Sequence, residues 1–370
     1  MEQEPKNRPV RSLMGAAAGT VAVCLLMGLC RWGGAAVQTW GSSELVWPRQ
    51  EPAAVETLAV GDRVVPMGST VGIKLFSDGV LVVGLSPVET ASGTCEPGKE
   101  CGLKAGDVIT HIDGSEVDTI EEVQAVLARR EGEPLTIQAV RGERQLQLTA
   151  APAENEQGVY QLGVWLRDSM AGIGTVTFWD PASGAFGALG HGINDVDTAM
   201  LMPLETGSIM KASVSEVRKG ASGQPGELRG EFDLTADLGT LYANTQAGVF
   251  GRVTGWKNEG ETVPVAGWRE VKRGPATILS TVRGDGVESF EVEITHVASD
   301  REGVKNLMLE VTDPRLLERT GGIVQGMSGS PILQNGRIVG AVTHVLVNDP
   351  TRGYGIFIEN MLEAAGGSNG

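Results

Sequence analysis

The chain has 370 residues, room for two domains, and a formal net charge of −16 at neutral pH. That acidic balance, without clustered Lys and Arg, excludes nucleic acid as an expected partner. Glycine accounts for 52 residues, about twice the usual share, and with many short Val/Ile/Thr runs it favours β-structure over helix.

At the N-terminus, Lys6, Arg8 and Arg11 precede an apolar stretch from Leu13 to Leu29, which Arg31-Trp32 closes. About 17 apolar residues is the lower limit for crossing a bilayer. The basic flank belongs on the cytoplasmic side. Residues 1–32 are therefore expected to form a cytoplasmic flank and a transmembrane signal anchor. A cleavable signal peptide, with a site around Gly34-Ala35-Ala36, is the alternative. Cys24 and Cys30 follow the large Val23 and Leu29, where a lipoprotein site needs a small residue. The rest of the chain is expected outside the cytoplasm, tethered to the membrane, with residues 33–62 as a linker.

From residue 63 to about 152 the pattern changes. Val71-Gly72-Ile73-Lys74 and Val80-Leu81-Val82-Val83 read as strands around a Ser77-Asp78-Gly79 turn. Ile120, Val123, Val126 and Leu127 recur at helical spacing, predicting a helix from Thr119 to Arg130. Leu135–Val140 and Gln145–Leu148 read as closing strands. Cys95 and Cys101 bracket the turn-prone Glu96–Glu100. An exported location permits a disulfide between them, two free thiols being the alternative, and two thiols are too few for structural zinc.

This order resembles a bacterial PDZ domain, carried by G-L-K-A-G-D-V-I at 102–109 and I-D-G at 112–114. Thr70-Val71-Gly72-Ile73 falls where such domains have their carboxylate-binding loop. The resemblance implies a groove at Val71, Gly72 and Ile73 that takes a peptide C-terminus or strand by adding it to a sheet edge. A domain that merely packs on its neighbour is the alternative.

Beyond a polar break at 154–158, residues 159–365 show short strands separated by glycine turns, which fits two packed β-barrels. Gly326-Met327-Ser328-Gly329-Ser330-Pro331 has the pattern that surrounds the nucleophile of trypsin-like peptidases. Glycines let the backbone turn so that the Gly326 and Ser328 amides can face one oxyanion hole. A hairpin should follow, with its turn at Asn335-Gly336. Ser330, lacking a glycine two places upstream, is the rival nucleophile.

A serine nucleophile needs a base. Of four histidines, His111 lies inside the PDZ pattern. His191 ends a short apolar strand among glycines, suited to a cleft rim. His296 is mid-strand, and His344 follows Ala341-Val342-Thr343, where a trypsin-like enzyme lines its substrate pocket, so Thr343 and His344 are candidate pocket residues. No H-E-x-x-H, Walker loop or dinucleotide fingerprint occurs, so neither metal nor cofactor is expected.

With G-H-G-I-N-D at 190–195, E-V-T-D-P at 310–314, G-G-I-V-Q-G-M-S-G-S-P at 321–331, G-A-V-T-H-V at 340–345 and N-D-P-T-R-G-Y-G at 348–355, the chain resembles the stage IV sporulation protein B peptidases. The resemblance implies Ser328 as nucleophile, His191 as base and Asp313 as the acidic member. Asp313 stands only 15 positions before Ser328 and also reads as a helix cap before Pro314. Asp195 and Asp197 are its rivals. The resemblance further implies a membrane-tethered endopeptidase that processes itself. In endospore formation it would cleave the extracytoplasmic part of a membrane-bound inhibitor, freeing an intramembrane protease that activates a late sigma factor. A non-catalytic PDZ adaptor and a general quality-control protease of exported proteins are the alternatives.

Overall fold

The computed structural model describes residues 58–253 and 260–366. The expected anchor, 1–32, and most of the expected linker lie outside the described residues. Among the described residues, no helix is long and apolar enough to cross a membrane.

The chain opens with β1 (Arg63–Pro66) and β2 (Thr70–Leu85). A smaller region follows, with β3 (Val108–Ile112), α1 (Ile120–Arg130), β4 (Leu135–Arg141) and β5 (Arg144–Ala150). Then come β6 (Val164–Trp179), β7 (Ala185–Ala188), β8 (Thr206–Arg218), β9 (Glu227–Thr245) and β10 (Gly248–Val253). The last part holds β11 (Gly274–Ser280), β12 (Glu288–Val297), β13 (Leu307–Val311), α2 (Pro314–Thr320), β14 (Pro331–Gln334), β15 (Arg337–Leu346), β16 (Asp349–Phe357) and α3 (Ile358–Ala365).

Two barrels result. The second closes in the order β11-β12-β13-β16-β15-β14. Period-two alternation turns Phe290, Val292 and Ile294 of β12 inward, where they meet Ile278, Leu309, Ile332 and Phe357 in one buried cluster. Its β14–β15 hairpin turns at Asn335 and Gly336, both left-handed with φ of 52° and 74°, the signature of a type I′ turn. The first barrel runs β6-β7-β10-β9-β8-β2, and pairing of β2 back onto β6 closes the ring. Val71, Ile73, Val176, Phe186, Ile209 and Val249 share its core.

The smaller region sits inside the first barrel's sequence. β2 and β6, each 16 residues long, start in the barrel and continue outward as a paired ribbon, Leu85 reaching Val164. There β2 adds β3, then β4 and β5. Helix α1 lies over this sheet with Val123, Val126 and Leu127 buried. It starts at a capping box in which Thr119 accepts from the Glu122 amide and Glu122 reaches back to the Thr119 amide, satisfying two orphan donors.

Three expectations change. The barrel does not begin at 159, because β1 and the first half of β2 belong to it. Val71, Gly72 and Ile73 form no peptide-binding edge: they pair with Gly174, Ile173 and Gly172 on one side and with Lys211, Met210 and Ile209 on the other. An edge with both rows of amides and carbonyls used has nothing left for an added strand. Cys95 and Cys101 are free thiols. Each points to a different carbonyl, Val88 and Gly98, across a short helix at Pro97–Glu100.

Gly72 is required for a packing reason rather than for peptide approach. A Cβ added there would stand 2.8 Å from the Phe232 ring. Gly72→Val is expected to destabilise the barrel by about 1–3 kcal/mol, lowering both the melting temperature and peptidase activity. Thermal unfolding with a parallel assay checks this. An unchanged melting temperature with selective loss of peptide binding would restore the groove reading.

Candidate active site

Ser328 lies on the loop between α2 and β14, and that loop is fastened to the first barrel. The Thr175 amide donates to the Ser328 carbonyl at 3.1 Å. The Thr175 hydroxyl donates to the Gly326 carbonyl at 2.8 Å, and the Thr177 hydroxyl to the Gly329 carbonyl at 2.7 Å. Gly326 and Gly329 hold φ of 96° and 97°, a region that L side chains resist. A Cβ on Gly329 would also overlap the Thr175 carbonyl oxygen. The glycines thus permit both the turn and the close approach. Among the described residues, the Gly326 and Ser328 amides donate to no protein acceptor, which leaves them free for an anionic oxygen. The Ser328 hydroxyl itself donates to the Thr343 carbonyl at 2.7 Å.

His191 stands at the end of β7, after Leu189 and Gly190 turn through φ of 69° and 68°. Its Nδ1 lies 2.8 Å from the Gly192 carbonyl oxygen. A carbonyl can only accept, so Nδ1 carries the hydrogen and Nε2 keeps its lone pair. Burial lowers the pKa of His191 below its usual 6.5, an effect the Gly192 bond partly offsets. The segment after it is clamped by Asn244 of β9. The Asn244 side chain accepts from the Ile193 amide at 2.9 Å and donates to the Ile193 and Met202 carbonyls at 3.0 and 2.9 Å.

His191 and Ser328 line one cavity of 480 Å³ between the two barrels. Thr343 and His344 line it too, and the His344 ring packs against His191 with centroids 5.0 Å apart. Desolvation of the packed ring, and then the neighbouring His191 and Lys305, push His344 down to about 4. Both rings are therefore neutral at physiological pH. Ile73, read from sequence as a groove residue, also reaches this cavity, with Ile173, Ile323, Val324 and Val345. No Asp, Glu, Lys or Arg is among the lining residues. His296 is exposed beside Arg273. Ser330 is fully buried, its hydroxyl on Ser280, which removes it as a rival nucleophile.

The carboxylates are occupied elsewhere. Asp313 caps α2, accepting from the Arg315 amide at 2.9 Å and from the Glu291 amide at 3.2 Å. Arg315 grips it through Nε and Nη2 at 3.1 and 2.7 Å. These contacts, the Arg315 side chain foremost, hold Asp313 at about 2, below its ordinary 3.8. Asp195, buried, accepts from the Asp197 and Thr198 amides and the Thr198 hydroxyl and pairs with Arg167. Asp197 pairs with the same guanidinium at 2.8 Å. Among the described residues none of the three bonds to His191, so the expected Asp313–His191 contact is absent. Sequence reasoning passed over Asn244, Thr175 and Thr177: single polar residues within strands carry no local signal of the segments they bond.

The profile of the family described as SpoIVB peptidase S55 matches residues 158–362, and a PDZ profile matches 96–141. A Clostridium perfringens protein described as a zinc metalloprotease, CPE1693, is 35% identical over 68 residues, 18% of this chain. The chain spans 20% of that relative's length. The PDZ domain of the SdrC-like protein from Listeria monocytogenes aligns at 25% identity over 24% of this chain and 87% of that one, with a TM-score of 0.20. An inactive serine-to-alanine form of Rv3671c from M. tuberculosis aligns at 13% identity over 54% of this chain and 84% of that one, with a TM-score of 0.29.

Asp313 should reveal itself through stability. Its folded pKa is depressed, so its carboxylate stabilises the fold above 3.8 and the contribution is lost as pH falls through about 2. Asp313→Asn is expected to melt roughly 2–6 °C below wild type at neutral pH, and the gap should close between pH 4 and 2. Melting curves across that range check it. A gap that persists unchanged to pH 2 would show that the carboxylate's charge is not what matters.

Proposed function

Since the chain belongs to the SpoIVB peptidase S55 family and is a serine endopeptidase, we propose that Ser328 is its nucleophile and His191 its general base. The observation that carries this reading is the shared cavity: Ser328, His191 and Gly326 all line it, and among the described residues the Gly326 and Ser328 amides donate to no protein acceptor. His191 has the tautomer a base requires, with Nε2 open. Attack begins when the Ser328 hydroxyl leaves the Thr343 carbonyl for that nitrogen as substrate enters. Catalytic hydrogen bonds commonly tighten only in the substrate complex. The imidazolium then returns its proton to the leaving amine, while the Gly326 and Ser328 amides hold the oxyanion.

Replacing either partner removes a unit. Ser328→Ala and His191→Ala should each lower turnover on the order of 10³-fold or more without unfolding the protein. A serine-directed fluorophosphonate should label wild type at Ser328, mapped by mass spectrometry of the modified peptide. A folded Ser328→Ala variant that still cleaves casein would end the assignment.

The family resemblance supports a narrower role: a membrane-tethered, extracytoplasmic enzyme of endospore formation that cleaves the exposed part of a membrane-bound inhibitor of an intramembrane protease. It also supports self-processing. Residues 33–62 contain Pro and Ala and stand between the expected anchor and β1, where a cut would separate the two. The aliphatic, uncharged cavity favours an aliphatic side chain beside the scissile bond. Wild type should therefore accumulate a form whose new N-terminus falls between Gly33 and Val64, cut after an aliphatic residue, while Ser328→Ala stays full length. N-terminal sequencing of both decides it. Identical trimming in Ser328→Ala would assign the cut to another protease.

A further inference from the structure

We infer that the Gly192–Ile193 peptide unit, held by Asn244, does the orienting work that a triad carboxylate does elsewhere, and that Asn244 is a positioning residue for catalysis. The inference rests on His191 acting as the base. The carbonyl that accepts from His191 Nδ1 and the amide that donates to Asn244 Oδ1 belong to one peptide bond. In a trans peptide these two groups point in opposite directions. A continuous chain therefore runs from Asn244 Oδ1, through the Ile193 N–H and the Gly192 carbonyl, to the His191 ring. Polarisation along such a chain strengthens each bond in it. The Ile193 amide gives up hydrogen-bonding charge to Asn244, and the Gly192 oxygen becomes a better acceptor for the imidazole.

Asn244 suits this task because it offers both an acceptor and two donors. Its amide group bonds the Ile193 N–H and C=O together, as a neighbouring strand would, and adds the Met202 carbonyl on the returning limb of the loop. The 192–202 segment is thereby fixed at both ends against β9. Asp195 braces its middle through Thr198 and Arg167. The peptide plane beside His191 cannot rotate unless the Asn244 bonds break. A neutral relay also fits its surroundings: His191 and the His344 ring packed against it have depressed pKa values, and no carboxylate among the described residues bonds the His191 ring to draw it towards imidazolium at rest.

The test separates positioning from folding. In protein labelled with 15N-histidine, with the His191 signal identified by its loss in His191→Gln, wild type should show His191 as the Nδ1–H tautomer at pH 7.5. In Asn244→Leu, the Nε2–H tautomer should become populated. Its kcat should fall roughly 10²-fold, with KM near wild type and fluorophosphonate labelling slowed in proportion. Wild-type His191 in the Nε2–H form would overturn the inference, and that measurement needs neither substrate nor a variant that folds. A folded Asn244→Leu with wild-type kcat and tautomer would overturn it as well. Because the spectrum does not depend on turnover, it stands or fails separately from the assignment of Ser328 as nucleophile.

Discussion

Two threonines on one strand, Thr175 and Thr177, tie the serine-bearing loop of the second barrel to the first. Everything at the site follows from that contact. The loop can approach β6 so closely only because Gly329 has no side chain, and it can curl over the strand only because Gly326 and Gly329 accept left-handed backbone. The strand that receives the loop also delivers its other end to the histidine, since the Thr175 carbonyl accepts from the Leu189 amide just before Gly190 and His191. One buried backbone position therefore sets the spacing of both functional groups. Buried hydrogen bonds of this kind are individually worth about 1 kcal/mol, but leaving one partner unmatched costs more. The two barrels have little freedom to slide.

Charge is distributed with similar economy. The wall of the cavity is aliphatic and the imidazoles are kept neutral, while Asp313 braces backbone at the start of a helix, Asp195 braces it in the loop beyond the histidine, and Asp197 pairs with Arg167. A carboxylate sealed into such an apolar wall without a partner would be expensive to keep ionised. Arg315 and Arg167 supply partners outside the cavity.

How much of this was legible depended on how local the signal was. The Asn335-Gly336 turn and the helical spacing of Ile120, Val123, Val126 and Leu127 are written within a few residues, and the structure has both the turn and the helix. The glycines around Ser328 were readable for the same reason: they report a backbone requirement at their own positions. Val71-Gly72-Ile73 was misleading because alternation identifies a strand without naming its partners. A carboxylate-binding loop and an interior barrel strand share that pattern, and only the pairing with β6 and β8 tells them apart. Asp313 posed the same problem in side-chain form. An aspartate before proline reads equally as cap or catalyst, and the choice rests on how the neighbouring Arg315 side chain folds back and on the Glu291 amide, which lies 22 positions away in sequence.

The inserted PDZ region also bears on how the chain is assembled as it is made. β2 emerges early, yet its barrel half must wait for β6 and then β8. Joining Phe76 to Ser169 across roughly ninety residues of loose chain would cost on the order of 4 kcal/mol in closure entropy. If the intervening region folds first, Leu85 and Val164 are already side by side, and the remaining pairs can zip inward from them. Closure is then borne by a compact unit with its own buried core, completed before the second barrel exists. A region that reads as an accessory module would be, during synthesis, the folded hairpin loop on which the catalytic barrel is built.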